Sequence, residues 1–166
     1  GSLIQKLSNR FADKEVRFIG IDQEEAMIRQ AQKEIGELSN VSLVVDDISL
    51  HEYETADFII SYYTAQFVPP KRRQELIHRI YNTLNWGGGF AMFEKVRAAD
   101  ARFQDMMTGL YTDFKIDQGY KPDEIVSKTR SLKGVLEPFS TQGNIDLLSR
   151  AGFVDIMTVQ KYVCFE

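Results

Sequence analysis

Cysteine is almost absent from these 166 residues: Cys164 stands alone. A single thiol builds no internal disulfide framework and no multi-cysteine metal centre. Histidine is nearly as scarce, with only His51 and His78, and no Ser-His-Asp constellation stands out. His51 in a polar loop and His78 on a helical stretch are expected to be solvated, and Cys164 to be packing. Proline occupies four positions, which excludes collagen and proline-rich disorder. No apolar run approaches the roughly 18 residues of a membrane span, and no charged-then-apolar leader is visible. The expectation is therefore a cytoplasmic chain without a membrane partner. Positive charge is also short, with 20 Lys and Arg against 24 Asp and Glu and a net charge of −4. That balance argues against direct nucleic-acid binding. The one basic run, Lys71-Arg72-Arg73, is expected to be a solvated helix face. What is present, 43% hydrophobic and 27% charged residues, suits one globular domain over 1–166 that buries roughly 70% of its unfolded surface.

Periodicity divides the chain into alternating elements. Residues 3–11 read as a short helix and 16–21 as a strand ending at Asp22. Residues 23–38 read as an amphipathic helix with Ala26, Met27, Ala31, Ile35 and Leu38 inward, and Glu24 and Glu25 in its first turn. Strands follow at 41–45 and 56–61. A helix after Pro69-Pro70 runs to Leu84, with Leu76, Ile77, Ile80, Tyr81 and Leu84 inward. Asn85 to Gly89 reads as a turn before a strand at 90–94. Two consecutive helices, 98–118 and 122–136, interrupt the alternation as an insertion. A helix at 140–151 stops at Gly152, and 153–165 reads as a closing strand pair. The alternation predicts an α/β sandwich, a mostly parallel sheet with helices on both faces.

Ligands of open parallel sheets bind outside the carboxyl ends of the strands. The polar groups at those ends are Asp22, Asp46 with Asp47, Tyr62 with Tyr63, and Glu94. A carboxylate at this place in a nucleotide-binding fold chelates ribose hydroxyls about 20 residues beyond the phosphate-loop glycines. Asp22 follows Gly1 by 21 positions, which places Gly1 where the last such glycine belongs. The preceding strand and earlier glycines are then expected to be missing from this chain. Asp22 equally suits a helix cap. Asp47 suits an adenine amino group, with Ile48 over the ring, or a simple turn. Tyr62 to Phe67 offers aromatic walls and hydroxyls, and Tyr63 and Phe67 equally suit the core.

Strand-Asp22, strand-Asp47, the Tyr62-to-Phe67 segment and the Leu84-Asn85-Trp86-Gly87-Gly88-Gly89 turn together resemble the class I S-adenosylmethionine-dependent methyltransferases. The likeness is nearest to the carboxy-S-adenosylmethionine synthase branch. It is carried by Gln66-Phe67, Tyr81, Glu94-Lys95, Asp113-Phe114-Lys115, Gly119-Tyr120, Ile125, Lys128, Arg130 and Ala151-Gly152-Phe153. The resemblance implies a Rossmann-like methyltransferase sandwich lacking its first strand here, with a helical insertion at 98–136. It implies S-adenosyl-L-methionine, or its carboxy derivative, as cofactor. Gly1, Asp22, Gln23, Met27, Asp47, Ile48 and Tyr62 then form the cofactor site. Arg130 becomes the cation for the carboxylate on the modified methyl group, or, without the resemblance, an exposed helix arginine near Asp123 and Glu124.

The first functional expectation is methyl transfer to a small-molecule acceptor. The second is carboxy-S-adenosylmethionine synthesis from a prephenate-like donor, serving tRNA wobble-uridine modification. A nicotinamide-dependent oxidoreductase would use Asp22 alike, but the Gly87-Gly88-Gly89 turn and the insertion argue against it. A non-catalytic interaction module is the remaining alternative. Phe103, Met106, Met107, Leu110 and Tyr111 suit either a homodimer face or cover for the chain's own sheet.

Overall fold

In the computed structural model, which describes residues 1–36 and 38–166, the chain forms two compact units, Gly1–Glu52 and Tyr53–Glu166. The first unit holds α1 (Ser2–Arg10), β1 (Phe18–Asp22), α2 (Glu25–Ile35) and β2 (Val41–Val45). The two strands pair in parallel, Phe18 opposite Val41 and Asp22 opposite Val45, so both carboxyl ends lie at the same edge. A Cβ at Gly20 would stand 2.8 Å from the Leu43 side chain and 3.2 Å from that of Ile4. Glycine here lets α1 pack directly on the ladder.

Helix α2 buries Ile28, Ala31 and Ile35. The expected inward positions Ala31 and Ile35 are buried, but in the first turns Ile28 takes the inward place, while Ala26 is exposed and Met27 is 56% exposed. The helix ends at Ile35, where Gly36 takes φ +67° and ψ −150°, an extended positive-φ backbone that glycine adopts readily and that cannot continue a helix. The expected continuation to Leu38 crosses Glu37, which lies outside the described residues, and Leu38 itself is not helical.

The second unit holds β3 (Ala56–Tyr62), a 3₁₀ turn (Ala65–Phe67), α3 (Pro70–Thr83), β4 (Leu84–Phe93), α4 (Ala101–Asp117), α5 (Pro122–Ser131) and α6 (Thr141–Ala151). Strands β3 and β4 are parallel, from Ala56 opposite Leu84 to Tyr62 opposite Phe93, with a register shift between Ala56 and Phe58. The segment Asn85 to Gly89, expected as a turn before a strand at 90–94, is instead the start of β4; it holds the register shift, with Gly87 at φ +80° and Trp86 fully exposed. The inward side of α3 is Leu76, Ile77 and Ile80. Leu76 and Ile77 are essentially inaccessible, each contributing about 2 kcal/mol through burial. Helix α6 packs on α3, where Gln74 Nε2 donates to Leu147 O and Arg150 Nε donates to Gln74 Oε1.

The closing strand pair expected at 153–165 is not formed. Among the described residues, this segment makes only isolated bridges at Tyr162 and Phe165. Val154, Met157 and Val159 are 75–88% exposed, so their apolar sequence finds no partner ladder to stabilise a strand. The last residues instead return to β4, where Glu94 and Glu166 exchange both backbone hydrogen bonds.

Two charged residues lie at the centre of this unit, Glu94 and Arg73, 4% and 3% exposed. Glu94 accepts hydrogen bonds from the backbone N–H groups of Ala65 (3.1 Å) and Gln66 (2.8 Å). Arg73 donates to the carbonyls of Val68 (2.7 Å) and Gln66 (2.9 Å) and lies over the Phe139 ring, 4.5 Å from its centroid. The expectation of a solvated Lys71-Arg72-Arg73 face therefore fails at Arg73. The carbonyls left open around the 3₁₀ turn need a buried multi-donor group, and a guanidinium satisfies two at once. The histidines keep partial exposure while each makes a hydrogen bond: the His51 ring is 2.8 Å from Asp46 Oδ2, and His78 Nε2 is 3.0 Å from Arg150 O. Cys164 is buried, as its packing role requires.

Two outcomes follow for stability. Gly152 takes φ +118°, and a Cβ there would stand 2.7 Å from the Tyr81 ring. Gly152→Ala should lose about 2 kcal/mol or more in urea unfolding. Burial pushes the Glu94 carboxyl up to about 7 from an ordinary 4.5, against the downward pull of the Gln66 and Ala65 amides and of Arg73. A carboxyl whose folded pKa is raised binds more protons when folded, so its contribution falls as pH rises from about 4.5 to 7 and is level above that. The stability of the wild type relative to Glu94→Gln should decline across this window by on the order of 2–3 kcal/mol. Calorimetric unfolding at pH 4.5 and 7.5 measures it, and an unchanged difference would refute the assignment.

Candidate functional site

In the first unit, the parallel pairing of β1 and β2 brings Asp22 and the Asp46-Asp47 pair to one edge. Asp46 N donates to Asp22 O at 3.1 Å, so the two strand ends are directly joined. Asp22 Oδ1 accepts from Glu24 N at 2.9 Å, which holds the carboxylate at the entrance of α2. Among the described residues, its second oxygen accepts no hydrogen bond, which leaves it an acceptor for hydroxyls of a ligand. Gln23 is exposed beside it, and Met27 is exposed one turn along.

Asp47 is more occupied. Its Oδ1 accepts from both the backbone N–H and the hydroxyl of Ser49, while its carbonyl accepts from Leu50 and His51. Asp46 Oδ1 in turn accepts from Asp47 N. The carboxylates thus also build the turn that presents half-buried Ile48. Gly1 abuts α2, and a Cβ there would stand 2.9 Å from Ala31 Cα. Only glycine allows this approach, the closeness that the last glycine of a cofactor loop provides. The donor set of this edge therefore fits an adenosine: an acceptor carboxylate, a turn with an apolar side chain, and a glycine without room for a side chain.

In the second unit, Tyr62 closes β3, half exposed, with its ring 4.6 Å from that of Tyr63 and 5.5 Å from that of Phe93. Tyr63 takes φ +54°, an uncommon conformation for a residue with a side chain and one found at functional sites. It swings the ring against Phe165, centroids 5.7 Å apart. Beyond it opens a cleft of about 1060 Å³ lined by Tyr63, Gln66, Lys95, Tyr111 and Lys115 together with residues of α5 and of 132–138. The α5 contribution is Glu124, Ile125, Lys128 and Thr129. Arg130 is exposed on the same helix and is not among the residues lining the cleft.

Three features of this unit escape sequence reasoning. The Glu94–Arg73 core depends on which residues of α3 turn inward. The Tyr63 conformation depends on a backbone angle. Lys95, Tyr111 and Lys115 converge although β4 and α4 are separate elements. The residues carrying the family likeness include Glu94-Lys95 and Lys115, and that was the available signal.

Comparison with known proteins agrees with this geometry. Residues 1–88 match the family model described as a methyltransferase domain. The carboxy-S-adenosyl-L-methionine synthase of Wolinella succinogenes is 36% identical over 99% of this chain and 69% of its own length. That of Staphylococcus epidermidis is 32% identical over 98% of this chain and 70% of its own. Among solved structures, human N-acetylserotonin methyltransferase superposes with a TM-score of 0.62 at 16% identity over 99% of this chain. An O-methyltransferase family 2 protein of Planctomyces limnophilus does so with a TM-score of 0.66 at 13% identity over 98%. The chain spans 42% and 44% of those two solved chains, and at such identity the likeness is one of fold. Parallel α/β units, carboxylates at adjoining strand ends and relatives along nearly the whole sequence converge: the chain belongs to the S-adenosylmethionine-dependent methyltransferases, in the family of the carboxy-S-adenosyl-L-methionine synthases.

Proposed function

We propose that this chain works as a carboxy-S-adenosyl-L-methionine synthase in the cytoplasm. The observation that supports it most is the likeness to synthases of that name across both units, rather than across the nucleoside-binding half alone. Residues 1–166 are read as one cofactor-binding domain with a helical insertion at 98–136. When bound, S-adenosyl-L-methionine supplies a methyl carbon activated by the adjoining sulfonium.

The duties of the chain's own residues are binding and exclusion of water. Asp22 accepts ribose hydroxyls, with Gln23 and Met27 beside the adenosine. Asp47 accepts from the adenine amino group, Ile48 covers the ring, and Gly1 leaves room for the backbone to approach. Tyr62 walls the reaction centre. Arg130 is the cation for the new carboxylate, a role its bidentate guanidinium suits. Neither transfer reaction calls for a covalent protein nucleophile, in keeping with a chain whose histidines are both engaged in hydrogen bonds. Holding the partners in line and away from water is what the fold contributes. The product serves tRNA wobble-uridine modification by another enzyme, so this chain handles small molecules and contacts no nucleic acid itself.

Purified protein given S-adenosyl-L-methionine and prephenate should yield a nucleoside heavier by one carboxyl group in mass spectrometry. S-adenosylhomocysteine with a methylated acceptor would instead indicate methyl transfer and overturn the synthase reading, as would the formation of no product. Asp22→Ala should weaken S-adenosyl-L-methionine binding about tenfold or more in calorimetric titration.

The insertion supports a homodimer. Helix α4 buries none of its residues, and Phe103, Met106, Leu110 and Phe114 form a stripe 41–57% exposed at the spacing of one helix face. Light scattering should give the dimer mass for wild type and the monomer mass for Leu110→Glu.

A further inference from the structure

Helix α4 and the end of β4 bring two ammonium groups to a single ring. Lys115 Nζ lies 4.2 Å and Lys95 Nζ 4.7 Å from the centroid of Tyr111. Both lysines are half-buried and both line the large cleft of the second unit. Among the described residues, no carboxylate pairs with either. The two acids of the cleft wall are engaged elsewhere: Glu124 caps the backbone N–H of Lys121 at 2.8 Å, and Glu137 faces Arg97 at 3.6 Å. Like charges gathered in a partly desolvated place repel, and the attraction of one shared ring offsets that only in part. Burial, then the neighbouring Lys95 charge, holds the Lys115 ammonium below its usual pKa. The surroundings are aromatic, with Phe165 5.3 Å from Tyr111 and 5.7 Å from Tyr63.

We propose that Lys95 and Lys115, gathered on Tyr111, form an anion-recognition site that takes the carboxylate of a small organic acid with an unsaturated or ring-bearing body. An anion between the two ammonium groups offsets their repulsion and gains charge-assisted hydrogen bonds from both. The aromatic wall accepts the rest of the molecule and discriminates against bare inorganic anions. This deepens the function proposed above by assigning residues to the second substrate, and only the identification of the acid as carboxyl donor rests on that reading.

The test uses the full chain without S-adenosyl-L-methionine, so its outcome is separate from that of the transfer assay. Phenylacetate and its uncharged counterpart phenylacetamide are titrated in turn. Wild type should bind phenylacetate at least tenfold more tightly than the amide. Lys95→Met and Lys115→Met should each lose most of this preference, whereas Lys133→Met on the rim of the same cleft should keep it. In wild-type protein labelled at the lysine Cε, the Lys95 and Lys115 resonances should move with phenylacetate more than that of Lys133, a measurement that needs no variant to fold. Equal binding of the two compounds, an undiminished preference in both variants, or lysine shifts no larger than at Lys133 would overturn the proposal.

Discussion

The second unit depends on a carboxylate that has given up water. Glu94 sits at the end of β4, where it accepts the amides of the 3₁₀ turn after β3. Arg73 binds the carbonyls of the same turn from α3. Strand end, turn and helix are thereby tied by one buried polar group of charges and peptide dipoles. Removing either charged member would leave groups desolvated without a partner, a loss of about 3–5 kcal/mol in comparable buried pairs. Such a group stabilises modestly but admits only one arrangement of its neighbours. That arrangement directs Gln66, whose Oε1 accepts from Lys95 N, and so sets the start of the segment that carries Lys95 into the cleft.

The first unit solves a different problem. Its strand-end carboxylates gather at one edge, where isolated like charges would repel. The chain engages part of each: Glu24 N holds one oxygen of Asp22, Ser49 holds one of Asp47, and His51 faces Asp46. Backbone and hydroxyl donors orient the acids without neutralising them. The turn reading of Asp47 holds through Ser49, whereas Asp22 bonds the backbone of Glu24, the residue that itself caps α2, and so shapes the approach to the helix without capping it.

Much of the fold was legible because it rests on local rules. The strand at 41–45 and the parallel pairing agree with the sequence reading, as does the helix behind Pro69-Pro70 with its Leu76-Ile77-Ile80 face. Gly152 ended its helix as expected, through a left-handed backbone. Where the reading failed, a non-local partner was missing or decisive. Residues 153–165 have strand composition but no ladder to join. On α2, Ala31 and Ile35 face inward as expected, but Ile28 rather than Met27 meets the interior. Arg73 entered the core because distant carbonyls required donors.

The sequence by itself determined the alternation of strand and helix, the acids and aromatics placed at strand ends, and the motifs that tie the chain to its family. Each depends on residue spacing along a regular backbone, which periodicity alone reveals. Only the tertiary structure decided that Arg73 is buried, that Tyr63 bends against Phe165, and that Lys95 and Lys115 meet on Tyr111 while Arg130 stays exposed. Those outcomes arise from contacts between elements far apart in the chain, where desolvation and the satisfaction of buried polar groups outweigh any local preference.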